Sequence, residues 1–217
     1  MSIKNNLLEI KSSLPENITL VAVSKTKPVS DLMEAYEADQ RIFGENYVQE
    51  LVEKYEQLPK DIQWHFIGHL QSRKVKLIVP FVSLIHGVDS LKLLEEINKQ
   101  ALKNNRIIDC LLQIHIAEED TKFGLDETEL NDLLHSETFA NLKNIKIKGL
   151  MGMATFTENK DQIKKEFLHL KSIFYKISIL NSEISILSMG MSGDYQLAID
   201  CGSTMVRIGS SIFGGRK

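Results

Sequence analysis

Ile18-Thr19-Leu20-Val21-Ala22-Val23-Ser24 is a short β-branched run, Lys25-Thr26-Lys27-Pro28 a polar loop, and Val29-Ser30-Asp31-Leu32-Met33-Glu34-Ala35-Tyr36-Glu37-Ala38-Asp39 a stretch of helical period. In the last of these, Val29, Leu32, Met33 and Tyr36 fall at i, i+3, i+4 and i+7, which is one face of a helix. The same unit recurs along the chain. Strands are expected over residues 18–24, 41–43, 63–67, 83–87, 107–116, 145–151, 184–188 and 203–207. Helices are expected over 29–39, 46–58, 71–79, 90–104, 127–138, 160–179 and 193–200, with an N-terminal helix over 3–12. Val48, Leu51, Val52 and Tyr55 give 46–58 its apolar face. Asn46 with Gln49, and Asp126 with Glu129, predict capping boxes at two helix starts. Strands alternating with helices imply an α/β protein with a parallel sheet. Eight such units, with no dinucleotide-type glycine fingerprint after the first strand, favour closure into a single (β/α)8 TIM barrel with an extra N-terminal helix. A doubly wound open sheet is the alternative that periodicity leaves open.

The chain's 217 residues sit at the short end for such a barrel and suit one domain over 1–217. A hydrophobic content of 43% with 25% charged residues describes a soluble globular protein. A net charge of −3 gives no electrostatic footprint for nucleic acid. No apolar run is long enough to span a membrane, and the polar N-terminus lacks the apolar core of a signal peptide. A cytoplasmic protein is expected. Cys110 and Cys201 have no partner spacing and read as buried thiols.

Barrel enzymes and binding proteins place their sites at the C-terminal ends of the strands. The polar residues at or just past each expected strand are Lys25, Asn46, His65 and His69, His86 and Asp89, then His115, Glu119 and Lys122. Thr155, Ser188 and Ser192, and finally Arg207, Gly209 and Ser210, complete the set. Period-two alternation puts Val21, Val23 and Lys25 on one face, which in a barrel can point inward. Desolvation of an ammonium there favours the neutral amine that carbonyl capture requires, and Lys27 on the same side adds to the effect. The competing reading is a lysine whose stem covers the strand end while its head reaches solvent. Ser188–Asp194 and Gly202–Ser211 are small-residue stretches after consecutive late strands, where backbone N–H groups can converge on a phosphate. A capturing lysine plus a phosphate cup suits an aldehyde-bearing phosphate or a phosphorylated carbonyl compound. His65 and His69 span a strand-to-loop transition and do not form a metal pair, so no metal is expected. Glu118-Glu119-Asp120, followed by Lys122, reads as a solvated, self-paired loop, and Met151, Met153, Met189, Met191 and Met205 read as core.

Several segments together resemble the YggS-type pyridoxal phosphate homeostasis proteins: Val21–Pro28, Phe43–Glu50, Trp64–Lys76, Lys122–Gly124, Ser188–Asp194 and Gly202–Gly214. The resemblance spans nearly the whole chain. It implies a barrel similar to the N-terminal domain of alanine racemase (PLP fold type III), with pyridoxal 5′-phosphate held as a Schiff base on Lys25. It also implies that Ser192, Gly209 and Ser210 hold the phosphate, that Arg207 faces the pyridine nitrogen, and that Asn46 and Met191 line the pocket. Two positions depart from the family's pattern. His115 stands where asparagine is more frequent, a change able to alter the cofactor's surroundings. Asp39-Gln40 stands where glycine is common, a helix-end variation.

An arginine at the ring nitrogen opposes its protonation and weakens the ring as an electron sink. Related racemases draw a second acid/base group from a further domain, which is not expected after the eighth unit. The resulting expectation is a protein with no catalytic residues that binds pyridoxal phosphate reversibly and buffers it or delivers it to PLP-dependent apoenzymes, as a monomer. Two alternatives remain: a small amino-acid racemase using Lys25 with His65 or His115, and a lysine aldolase acting on a phosphorylated sugar.

Overall fold

Every strand expected from the sequence forms, and each pairs in parallel with the next in chain order. The computed structural model describes residues 2–119, 123–179 and 181–215. Asp120, Thr121 and Lys122 of the charged loop therefore lie outside the described residues. The strands are β1 (Thr19–Val23), β2 (Ile42–Glu45), β3 (Gln63–Phe66), β4 (Leu84–Val88), β5 (Ile108–Gln113), β6 (Ile145–Met151), β7 (Ile186–Met191) and β8 (Met205–Ile208). Pairing of Thr19 with Met205 through Ala22 with Ile208 joins β1 to β8 and closes the barrel. The open-sheet alternative is thereby excluded.

The helices are α1 (Ile3–Ser13), α2 (Val29–Glu37), α3 (Val48–Gln57), α4 (Val75–Ile78), α5 (Leu91–Lys103), α6 (Glu127–His135), α7 (Glu137–Ala140), α8 (Lys160–Ser178), α9 (Tyr195–Asp200) and α10 (Ser210–Phe213). Asp126 and Glu129 form the expected capping box of α6. The box expected from Asn46 and Gln49 does not form: α3 starts two residues later, behind Tyr47, with no side-chain cap. The expected helix over 127–138 breaks at Ser136, whose hydroxyl instead caps α7 by accepting from the Phe139 N–H at 3.1 Å. Sequence periodicity did not show α10, which is only four residues long. At the end of α2, Asp39 takes φ 63°, the left-handed turn that favours glycine, while Gln40 turns inward and donates to Leu20 O and Ile42 O. This is the physical content of the departure at Asp39-Gln40.

Two apolar layers follow from strand alternation. Outward-facing strand side chains such as Phe43, Trp64 and Phe66 are buried together with the inner faces of the surrounding helices, among them Leu94 and Ile97 of α5 and Phe167 of α8. Inside, Val21, Leu84, Leu111, Met151 and Met205 form a separate cluster. Close packing leaves no room for a side chain where β6 meets β7: a Cβ on Gly149 would lie 1.7 Å from Ile186 O. On its other edge β6 carries a register shift against β5, Cys110 pairing with Ile147 and Leu111 with Gly149, so that Lys148 of β6 is the extra residue.

Candidate cofactor site at the barrel mouth

Two residues beyond the interior apolar cluster on their own strands stand His86 after Leu84, Ser188 after Ile186 and Arg207 after Met205, with His65 contributed by β3. All four are buried: His65 is 5% exposed, Arg207 4%, and His86 and Ser188 are fully covered. The sequence expectation put them at or just past strand ends. In fact they lie within the strands; for Ser188 this is because β7 runs on to Met191. The next level up is the mouth, a cavity of about 500 Å³.

That cavity brings together every residue named from the family resemblance. Lys25, Asn46, Met191, Ser192, Arg207, Gly209 and Ser210 all line it. Val23 lies in its wall directly before the lysine turn, so the inward face of β1 does lead from Val21 through Val23 to Lys25. Met153, Thr155, Phe156 and Ile163 close another side. Met151, Met189 and Met205 are core, as expected, but Met153 and Met191 are cavity wall.

The lysine turn is held from behind. The β1 ladder ends with the Ser24 N–H donating to Gly44 O at 3.0 Å. Lys54 of α3, 4% exposed, donates to Ser24 O, Glu45 Oε1 and Glu50 Oε1, each at 2.7 Å. Glu45 Oε1 also accepts from the Ser24 hydroxyl at 2.6 Å, and Glu50 Oε1 from the Thr26 N–H at 2.6 Å. Both neighbours of Lys25 are thus pinned, with Thr26 in the left-handed region at φ 64°. Burial raises the Glu45 carboxyl above the usual range, against the opposing pull of Lys54 and Ser24. Lys27 lines the same cavity as Lys25. Its ammonium donates to Phe213 O at 2.8 Å and Gly215 O at 3.0 Å, tying the C-terminal segment across the barrel end.

On the opposite side the Gly209 N–H donates to Ser192 Oγ at 3.2 Å, joining the loops after β7 and β8. Ser210 opens α10, so the first amides there have no partner within the helix. Arg207 reaches up from the barrel interior. Its Nη1 donates to Ser188 O at 2.9 Å and Ser188 Oγ at 2.6 Å, and Nη2 donates to Gly152 O at 3.1 Å. Burial lowers this guanidinium to about 10, opposed by Asp194, which still leaves it a cation at neutral pH. Asn46 Oδ1, by contrast, is a buried acceptor with no hydrogen-bond partner, and it belongs to a residue of the cavity wall. A polar ligand carrying a donor would complete it.

His65 and His69 part company. His65 Nδ1 faces His86 Nε2 at 3.0 Å inside the barrel, whereas His69 is partly exposed, 3.4 Å from Asp89 and stacked on Phe123. No cluster of metal-ligating side chains occurs among the described residues. His115 makes a hydrogen bond with Glu119 O at 3.1 Å and is not part of the cavity wall, so its departure from asparagine does not change the cavity lining. The Lys54 cluster was missed in the sequence. Its signal is the Glu50–Lys54 i,i+4 pair, in which Lys54 continues the buried row of Val48 and Leu51.

Comparison with known proteins places this arrangement. A family model described as alanine racemase, N-terminal domain, matches residues 1–217. The pyridoxal phosphate homeostasis protein of Pasteurella multocida is 38% identical, the alignment covering 100% of this chain and 98% of that relative. The protein of the same name from Aquifex aeolicus is 40% identical over 91% of this chain and 87% of its own length. Among solved structures, PipY of Synechococcus elongatus with PLP bound superposes with a TM-score of 0.90 at 33% identity, covering 98% of this chain and 100% of that one. The form without PLP gives 0.92 at 34% identity, with the same coverage. Alanine racemase of Clostridium difficile shares the fold, with a TM-score of 0.81 at 18% identity, and this chain spans 56% of its length. The chain belongs to the alanine racemase N-terminal-domain family, among its pyridoxal phosphate homeostasis proteins.

Proposed function

We propose that this protein binds pyridoxal 5′-phosphate reversibly at the barrel mouth and serves intracellular PLP homeostasis, buffering the cofactor or delivering it to PLP-dependent apoenzymes. The observation that carries the reading is the convergence of Lys25, Asn46, Met191, Ser192, Arg207, Gly209 and Ser210 on one cavity. The residues present fit the group: a wall amine, an orphaned acceptor on Asn46, a buried cation, and two small-residue loops joined through Ser192 and Gly209. The cofactor supplies an aldehyde, and Lys25 supplies the amine that captures it as a Schiff base. Ser192, Gly209 and Ser210 take the phosphate, Arg207 faces the pyridine nitrogen, and Asn46 and Met191 position the ring. The Lys54 cluster keeps the Lys25 turn in place during capture and release.

The reading assigns no catalytic residue. Arg207 holds a positive charge where a carboxylate would otherwise promote ring protonation, which favours binding over carbanion chemistry. His65 is turned into the barrel against His86, and His115 lies outside the cavity wall, so neither supports the racemase alternative. The same reading takes the protein as a cytoplasmic monomer whose length is one domain.

The test is an absorbance and mass measurement of purified protein mixed with PLP, before and after borohydride reduction, alongside Lys25→Ala. A visible band that Lys25→Ala abolishes, a phosphopyridoxyl adduct on Lys25, and no α-deuterium exchange with the common amino acids are expected. A persistent band and adduct in Lys25→Ala, or sustained racemisation by the pure protein, overturns the reading.

A further inference from the structure

The barrel interior next to the site contains a row of polar side chains that capture of an aldehyde does not require. Arg207 Nη1 donates to Ser188 Oγ at 2.6 Å, Ser188 Oγ lies 3.2 Å from His86 Nδ1, and His86 Nε2 lies 3.0 Å from His65 Nδ1. These groups come from β8, β7, β4 and β3, so the row crosses the barrel. Interiors of such barrels are usually filled by branched apolar residues. Polar groups there are tolerated when each one is hydrogen-bonded.

We propose that Ser188, His86 and His65 form a one-directional hydrogen-bond relay that positions Arg207 for the cofactor. Direction follows from the donors. Arginine has no acceptor, so Nη1 must donate to the serine oxygen. The serine hydroxyl then donates to His86 Nδ1, which leaves His86 with its proton on Nε2, and that N–H donates to His65 Nδ1. In the opposite direction the serine hydroxyl hydrogen would face two donors and have no acceptor in this row. The relay therefore fixes both histidines as the neutral Nε2–H form. Burial agrees with this: it lowers His65 to about 3 and holds His86 well below its ordinary value, with His65 and Arg207 as further causes. No positive charge develops beneath Arg207 to push it out of place.

The consequence is an oriented guanidinium. Both Nη1 protons go to Ser188 and one Nη2 proton to Gly152 O, which leaves Nε–H and the second Nη2 proton for the cavity that Arg207 lines. Ser188, His86 and His65 do not line the cavity themselves, so they act on a ligand through Arg207 as positioning residues. This inference rests on the reading of Arg207 as cofactor-facing, but the state of the histidines does not.

Two measurements separate the two ideas. Long-range ¹H–¹⁵N correlation spectra of the cofactor-free full chain should show His65 and His86 as Nε2–H tautomers that do not titrate between about pH 5 and pH 8. An Nδ1–H tautomer at His86, or titration of either ring in that window, overturns the relay. Absorbance titration with PLP then compares wild type with Ser188→Ala, His65→Leu and His65→Asn. His65→Leu removes the last acceptor without touching Arg207. It should weaken PLP binding about fivefold and shift the pH midpoint of the visible band. His65→Asn, whose Oδ1 stands in place of Nδ1, should restore both. Ser188→Ala deletes one hydroxyl and should match or exceed His65→Leu, which keeps the test available if the leucine variant misfolds. Unchanged affinity and midpoint in folded Ser188→Ala or His65→Leu refutes the relay. A wild-type protein without any PLP band refutes the cofactor reading alone, and the spectra still decide the relay.

Discussion

Replacing Lys54 by methionine isolates the cluster that holds the lysine turn. Methionine keeps most of the aliphatic stem, so little packing is lost, but three donated bonds of 2.7 Å disappear. The Glu50 side chain is 22% exposed and can recruit water, whereas Glu45 is fully covered and already has one oxygen, Oε2, without a partner. Stranding a buried carboxylate in this way costs about 3–5 kcal/mol. Water access at Glu50 sets the expectation near the lower end, about 3 kcal/mol at neutral pH. The loss should also depend on pH. Burial raises Glu45 in the folded state, so folding favours its protonated form. That contribution is fully present below the unfolded pKa and is lost as pH rises through the folded one. Removing Lys54 raises Glu45 further and widens the window, so the deficit of the variant should shrink as pH falls from about 7.5 to about 5. Urea unfolding followed by circular dichroism at both pH values measures this, with an unchanged m-value confirming that the unfolded state is comparable. A deficit below about 1 kcal/mol, or one equal at the two pH values, would refute the account of Lys54 as the partner of a buried carboxylate.

Two further outcomes follow from packing. Gly149→Ala would set a Cβ 1.7 Å from Ile186 O, so β6 and β7 must separate. A loss of about 3 kcal/mol or more is expected by chemical denaturation, and a near-neutral effect would contradict the register. Cys110 is fully buried and Cys201 is 1% exposed, and burial raises both thiols. Ellman's reagent at mildly alkaline pH should therefore react with neither in the native protein and with both in denaturant; rapid native reaction would show that the strand or the α9 end opens.

Legibility in the sequence followed how local the cause was. The eight strands and the α6 capping box depend on alternation or on groups three residues apart, and these were readable. Lys25 was readable too, because Val21, Val23 and Lys25 share a face and that face does lead to the cavity. The partners of Lys27 were not readable, because past the end of β1 its ammonium finds carbonyls some 186 residues away in sequence. The Asn46 cap failed because Asn46 belongs to the cavity wall and the helix starts beyond it. His65, His86 and Ser188 were seen as polar residues near strand ends, but their mutual contact was invisible, since they lie on three different strands.

By itself the sequence determined the order of strands and helices, the faces they bury, and, through its family motifs, which side chains to seek at the barrel mouth. Those properties are set by short-range periodicity and by residue type. Only the tertiary structure decided that β1 meets β8, that seven residues from separate strand ends share one cavity, and that Arg207 stands at the end of a row running through Ser188 and His86 to His65. The physical reason is closure. Bringing the last strand against the first fixes the level of every inward side chain across the barrel, and no local stretch of chain contains that information.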